Sequence, residues 1–369
     1  MIPAGIDKIC FYTPRYYLPL EQLAVARGVD PAKYFDGIGQ VEMAVTPPCE
    51  DIITLGASAA SSLLQNEDLS NIELFLFATE TSVDQSKSAG TWVHHLLNLP
   101  KHCRLLELKQ ACYAATGAIQ LAFSFLQQHP QKKVLVIASD IARYGFNTPG
   151  EPTQGACACA ILLSTFPRIL TIEPEYGLYC NHVMDFWRPN YMQEGLVDGK
   201  YSIKVYLNAL DEAWKHYKQN SGRSIQDHTK FAYHLPFTKM AIKAHQRLRS
   251  INGCENSGTE DALTESLIYG KRIGNSYTAS LFVAITSLLE NCTEDLAKKR
   301  IGLFSYGSGC MAEYFSAIVQ PNYQNYLMTD FHRNLLNQRQ AVTVSQYEQF
   351  YGSVLPQDGT PYTMPIHDN

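Results

Sequence analysis

Cys112 stands in the segment Leu106-Glu107-Leu108-Lys109-Gln110-Ala111-Cys112-Tyr113-Ala114-Ala115-Thr116-Gly117. There an apolar, strand-like run gives way to small residues and then to an amphipathic helix from Ile119 to Gln128. A thiol at that junction faces the free N–H groups of the helix start, whose partial positive charge favours thiolate over thiol. The competing reading is a buried cysteine packed as a small, inert hydrophobe. Glu80 closes the apolar strand Leu74-Phe75-Leu76-Phe77-Ala78-Thr79-Glu80. A carboxylate there is costly if buried and unpaired, and desolvation raises its pKa toward the range of a general acid/base. The alternative is a solvated loop glutamate.

His234 lies in Phe231-Ala232-Tyr233-His234-Leu235-Pro236-Phe237, at a strand end with a helix following, where a satisfied core histidine is the rival reading. Lys239 and Lys243, at i and i+4, put two ammonium groups on one helix face. That face suits a polyphosphate such as that of coenzyme A, or is simply solvated. In Gly307-Ser308-Gly309 the glycines permit close backbone approach, so that the Ser308 N–H serves an oxyanion hole or merely a tight turn. Asn275 opens a helix, as an N-cap or as a carbonyl holder. The turn Gly150 to Gly155, with Thr153, precedes a strand at a pocket wall. Together, Cys, Glu, His and Asn at strand ends and helix starts describe an acyl-transfer site built across two α/β halves.

Short apolar runs alternate with helical patterns, which indicates a layered α/β fold. Strands are expected at Ile72 to Thr79, Arg104 to Lys109, Lys133 to Ser139 and Ala156 to Leu163, with helices at Ile52 to Gln65, Ser86 to Leu97 and Ala115 to His129. The pattern restarts after Pro167, with strands at Phe231 to Leu235 and Ile301 to Tyr306 and helices at Lys239 to Leu248 and Tyr277 to Glu290. Ala312 to Val319 fits a strand or a helix start. The region Gln193 to Ser224 reads as a helical insertion or cap. The division expected is 1–166, carrying the Glu and Cys, and 167–369, carrying the His, Asn and lysines, with a peripheral polar tail from about 320.

The 369 residues exceed one ordinary core. With 46% hydrophobic and 18% charged residues the chain is globular, and a net charge of −5 argues against nucleic acid as a partner. No run of about 18 apolar residues supports a membrane span, and the first residues lack the pattern of a signal peptide. The ten cysteines are scattered without CxxC pairs, which disfavours a disulfide framework. Cys157 and Cys159 share one strand face with no further ligands nearby, so tight packing accounts for them better than a metal.

The segments ATETSVDQSK, KQACYAATGAIQLA, DIARYG, GEPTQGA, DFWRP, VDGKYS, YHLPFTKM, GNSYTAS and LFSYGSG, in order from about Gly5 to Phe315, resemble the 3-hydroxy-3-methylglutaryl-CoA synthase family in its bacterial mevalonate-pathway form. The resemblance implies a thiolase-like fold, duplicated α/β halves in a five-layer α-β-α-β-α arrangement, and a cytoplasmic homodimer. It implies acetyl-CoA and acetoacetyl-CoA as substrates, with no metal and no cofactor beyond the CoA thioesters. Cys112 would be acetylated. Glu80 would take a proton from the acetyl methyl, and His234 would polarise the acetoacetyl ketone. Thr153, Ser202, Asn275 and Ser308 would contact the acetoacetyl part, and Lys239 and Lys243 the CoA. Cys157, Cys159 and Cys310 stand where small apolar residues are expected, and suggest sensitivity to oxidation.

The rival readings share the fold. A Cys-His-Asn β-ketoacyl synthase needs no catalytic glutamate, and the Glu80 segment and GEPTQGA count against it. A synthase acting on carrier-protein-bound acyl groups in polyketide β-branching is the closer variant. A non-catalytic scaffold would have lost one of Glu80, Cys112 or His234, and all three are present.

Overall fold

The computed structural model describes residues 2–254, 262–353, 355–356 and 358–363. Its centre is a nine-stranded mixed sheet. From one edge the order is Lys230–Tyr233, Arg300–Gly307, Met311–Val319, Leu170–Cys180, Gly5–Tyr12, Ala156–Ser164, Lys133–Ile141, Ile72–Ala78 and Arg104–Leu108. A short antiparallel junction, Gly5 opposite Thr171 and Ile6 opposite Leu170, joins the strands of the first half to those of the second.

Both halves repeat one unit. A first strand (Gly5–Tyr12 or Leu170–Cys180) leads to a long helix (Ile52–Leu63 or Gly199–Ser221), a parallel strand, an inner helix (Ala114–Gln128 or Ser280–Asn291) and an antiparallel strand pair. The inner helices touch both halves. The Thr116 hydroxyl donates to Ser305 Oγ at 2.8 Å across the seam, and Ser280–Asn291 is buried from Ser280 to Glu290 and packs on strands of both. Each long helix covers the outer side of its own half. The resulting layers are helix, sheet, helices, sheet, helix.

Local chemistry sets the helix ends. Asp51 accepts the N–H groups of Ile53 and Thr54 at 3.0 and 2.8 Å, and the Thr54 hydroxyl accepts the Asp51 N–H, which closes a capping box on Ile52–Leu63. Asp198 caps Gly199–Ser221, and Gly222 ends it at a φ of 68°. Val205, Ala209, Ala213 and Tyr217, together with Tyr206, Leu210 and Trp214, form its buried stripe.

Two expectations are corrected. The Gln193 to Ser224 region is no insertion or cap, because its helix is the outer layer of the second half and lies along Leu170–Cys180 and Met311–Val319. The tail beyond residue 320 is not peripheral. Its strand Gln340–Ala341 pairs with Tyr16–Pro19, and its helices Thr329–Asn337 and Val344–Gly352 bury His332, Leu336 and Tyr347. Ala312 to Val319 is strand throughout, fixed by antiparallel partners on both sides. No helix among the described residues is long and apolar enough to cross a membrane.

Candidate active site

Glu80 follows the strand Ile72–Ala78, and Cys112 precedes the inner helix Ala114–Gln128. The neighbouring parallel strand Arg104–Leu108 brings the two ends together. The Cys112 thiol donates to Glu80 Oε1 at 2.8 Å. Burial, then the negative charge of Asp140, pushes the Glu80 carboxyl up to about 8, against the opposing thiol hydrogen bond and the Arg188 charge. Burial and the Glu80 carboxylate likewise drive the Cys112 thiol well above its ordinary value. Burial and the contact with Glu80 thus favour the protonated thiol over the helix-start thiolate expected from sequence.

Cys112 is presented by a strained turn. Ala111 has a φ of 45°, a left-handed conformation that costs a non-glycine residue on the order of 1–3 kcal/mol. The second half repeats the device. Tyr277 has a φ of 46° three residues before the inner helix that starts at Ser280, just as Ala111 stands three before Ala114. Thr278 thus occupies the position corresponding to Cys112. Its hydroxyl and N–H both donate to Asp140 Oδ2, at 2.5 and 3.1 Å.

Asp140, fully buried at the end of Lys133–Ile141, organises the carboxylate side. Its other oxygen accepts the hydroxyls of Thr79 and Thr81 at 2.7 and 2.6 Å and the N–H groups of Glu80 and Thr81 at 2.9 and 3.0 Å. Arg188 donates to the Glu80 carbonyl at 2.7 Å. The backbone of Glu80 is held from both sides.

His234 is buried at the end of Lys230–Tyr233. Its Nδ1 lies 2.5 Å from Ser280 Oγ, which accepts the Leu235 N–H at 3.1 Å. When the serine hydroxyl donates to Nδ1, the neutral imidazole carries its proton on Nε2. Burial pushes the His234 pKa down to about 3, so the ring is a neutral hydrogen-bond donor at physiological pH. Tyr206 donates to the His234 carbonyl at 2.9 Å.

Asn275 Oδ1 accepts the Tyr277 N–H at 2.9 Å, and its Nδ2 donates to the Tyr144 hydroxyl at 3.1 Å. The Asn275 N–H reaches the Thr153 carbonyl at 3.0 Å, while the Thr153 hydroxyl turns back to Gly150 at 2.7 Å. Ser308 shares a cleft of about 1170 Å³ with Glu80, Arg188 and Tyr277. Ser202 is 3.4 Å from Asp185, whose carboxylate also takes the Tyr306 hydroxyl at 2.5 Å and the Gly309 N–H at 3.0 Å. The structure thus joins Glu80 to Cys112 directly and connects Thr153 with Asn275. Lys239 and Lys243 stand apart on the outer helix Thr238–Ser250. There Lys239 donates to the Asp36 carbonyl, and Lys243 lies 5.5 Å from the Phe237 ring centre.

Sequence reasoning missed Asp140, Asp185, Tyr144 and Ser280. Asp140 carried the same signal as Glu80, a carboxylate closing an apolar run. Asp185 lies in the DFWRP segment, but its partners come from distant segments. Cys157 and Cys159 are fully buried, with thiols pushed far up by desolvation, and Cys310 is buried with its thiol raised to about 11. The suggested oxidation sensitivity loses its basis at these positions, since a buried thiol reacts slowly. Among the described residues no group of three or more His, Cys, Asp and Glu is arranged to hold a metal ion.

The model of the hydroxymethylglutaryl-coenzyme A synthase N-terminal region matches residues 3–167, and that of the C-terminal region matches 171–262 and 250–352. The chain belongs to the hydroxymethylglutaryl-CoA synthase family. It is 42% identical over 357 residues to the hydroxymethylglutaryl-CoA synthase of Enterococcus faecalis, covering 96% of this chain and 93% of the relative. It is 36% identical to PksG of Bacillus subtilis, a polyketide biosynthesis 3-hydroxy-3-methylglutaryl-ACP synthase, over 98% of this chain and 91% of that one. A crystal structure of an HMG-CoA synthase complexed with CoA superposes with a TM-score of 0.92 at 38% identity, covering 98% of this chain and 95% of that one. The fold is the thiolase-like fold of this family.

Proposed function

We propose that the chain condenses acetyl-CoA with acetoacetyl-CoA and water to give 3-hydroxy-3-methylglutaryl-CoA and CoA, through an acetyl group on Cys112. The observation that carries this reading is the Cys112 thiol donating to a carboxyl raised to about 8 in an open cleft. The sulfur attacks the acetyl-CoA carbonyl, the new S–C bond replaces the bond to CoA, and the thiol proton leaves through Glu80 to the departing CoA sulfur. An acetylated sulfur no longer donates, which frees the Glu80 carboxylate to remove a proton from the thioester methyl. That carbon attacks the acetoacetyl ketone, whose oxygen takes a hydrogen bond from His234 Nε2–H and becomes the product hydroxyl by gaining a proton. Water then cleaves the Cys112 thioester. In this scheme Thr153, Ser202, Asn275 and Ser308 hold the acetoacetyl part, and Lys239 and Lys243 bind the CoA phosphates.

The same reading makes the protein a cytoplasmic homodimer of the mevalonate pathway that needs no metal and no group besides its CoA substrates. Its functional halves divide near residue 166. The dimer is supported by the edge strand Arg104–Leu108, where Leu106 is 50% exposed, and by Leu121, 54% exposed, on the adjoining helix. Action on CoA rather than a carrier protein is supported by the higher identity to the CoA-named relative and by the paired lysines.

Intact-mass spectrometry after incubation with acetyl-CoA tests the scheme. Wild type and Glu80→Ala should gain one acetyl group, the variant more slowly, and Cys112→Ala none. Acetoacetyl-CoA should clear the adduct only in wild type. Equal labelling of all three proteins sinks the proposal.

A further inference from the structure

We propose that Tyr347, on the tail helix Val344–Gly352, is a positioning residue for acceptor binding, acting through the segment 142–155 that carries Thr153. The inference rests on the acceptor-binding roles proposed for Thr153 and Asn275.

The two halves differ at this segment. In the second half the equivalent strands, Arg300–Gly307 and Met311–Val319, are joined by residues 308–310 alone. In the first half Lys133–Ile141 and Ala156–Ser164 are joined by a connection several times longer, whose only regular piece is the turn Glu151–Thr153. A connection of that length is not fixed by its ends and needs outside partners to hold one conformation. The tail helix supplies them.

Tyr347, only 3% exposed, accepts from Gln154 Nε2 at 2.7 Å and donates to Glu151 Oε1 at 3.2 Å. Gln154 Oε1 in turn accepts the Tyr144 N–H at 2.8 Å. One turn later the Tyr351 hydroxyl accepts the Gly145 N–H at 3.0 Å, and its carbonyl accepts from Arg143 at 3.1 Å. Glu151, 1% exposed, is gripped by Arg27 through two hydrogen bonds of 2.9 and 2.7 Å. Arg27 also pairs with Glu348 of the same tail helix at 2.7 Å. Buried, fully partnered charge of this kind adds little net stability, but it admits few alternative geometries.

On its other side the segment meets the site. The Thr153 carbonyl accepts the Asn275 N–H, and the Tyr144 hydroxyl accepts from Asn275 Nδ2. The approach is closed to larger residues, since a Cβ on Gly274 would stand 2.0 Å from the Gln154 carbonyl oxygen. A hydrogen-bonded path therefore runs from Tyr347 through Gln154 and Tyr144 to Asn275. Cys112 and Glu80 are held differently, by the Asp140 cluster and the helix start at Ala114, and have no hydrogen bond to the tail helix among those described.

The test separates the two half-reactions in Tyr347→Phe, which keeps the ring, and in Gln154→Leu. Both variants should acetylate Cys112 within about twofold of the wild-type rate, while KM for acetoacetyl-CoA rises roughly 5- to 10-fold, as expected for one lost buried hydrogen bond. Melting curves accompany the kinetics. Equal losses in acetylation and condensation, or an unchanged KM, overturn the positioning role. A wild-type protein that fails to acetylate Cys112 overturns the functional reading itself, so the two failures are told apart.

Discussion

A thiol and a carboxyl in contact share their protons, and the enclosure of both decides where the protons rest. Glu80 is raised to about 8, so the fraction present as base grows steeply through neutral pH. Condensation measured by discharge of pre-formed acetyl-enzyme should rise with pH through neutrality as Glu80 ionises, and Glu80→Gln should abolish that dependence. His234, held near 3, should add no inflection between pH 5 and 8. Stability runs the other way. Between the ordinary glutamate value and about 8 the folded chain binds a proton the unfolded chain has released, so the Glu80 contribution is lost as pH rises through that window. Melting temperatures of wild type and Glu80→Gln across pH 5 to 9 check this sign; a wild-type deficit growing with pH is expected.

At the scale of elements, one close approach places the Cys112 turn. A Cβ on Gly307 would stand 2.5 Å from the Gln110 carbonyl oxygen and 2.7 Å from Tyr113 Cβ, so the second-half strand meets the Cys112 turn backbone to backbone. Gly307→Ala should force them apart, costing about 1–3 kcal/mol in a urea melt and most of the condensation rate. The strands from Ile72 to Ser164 were legible because their apolar runs are short and bounded by turn residues. The helix Gly199–Ser221 was legible as a helix but misplaced, since its buried stripe is satisfied by strands distant in sequence. Glu80, Cys112 and His234 could be singled out by their places at element ends. Asp140 carried the same mark and was passed over, and Asp185 and Ser280 gain meaning only from neighbours the fold supplies.

For the molecule as a whole, the tail is the largest departure from what the sequence suggested. Its polar composition read as periphery, yet it is tied in by a few fully enclosed contacts that composition does not reveal. His332 Nδ1 meets Glu290 Oε1 at 2.7 Å with both side chains fully buried, and Nε2 accepts the Phe11 N–H at 3.0 Å. Tyr269 donates to the other Glu290 oxygen at 2.7 Å. His332→Ala leaves Glu290 enclosed with one partner fewer, and should cost on the order of 3 kcal/mol in a denaturant melt. Limited proteolysis of that variant should release the tail before the core; equal resistance to wild type would contradict the anchoring.

Doubling one unit leaves two turns of the same backbone shape, one ahead of Cys112 and one ahead of Thr278. In the proposed reaction, two nucleophiles facing one cleft would compete for a single acyl group. The chain avoids this by giving the second turn a hydroxyl engaged with Asp140, the carboxylate that also holds the Glu80 backbone. The two copies have diverged: the first sets a thiol against Glu80, and the second has become part of the mounting of that carboxyl. Neither half alone is a smaller enzyme, and separating them should yield two inert pieces rather than one weak catalyst.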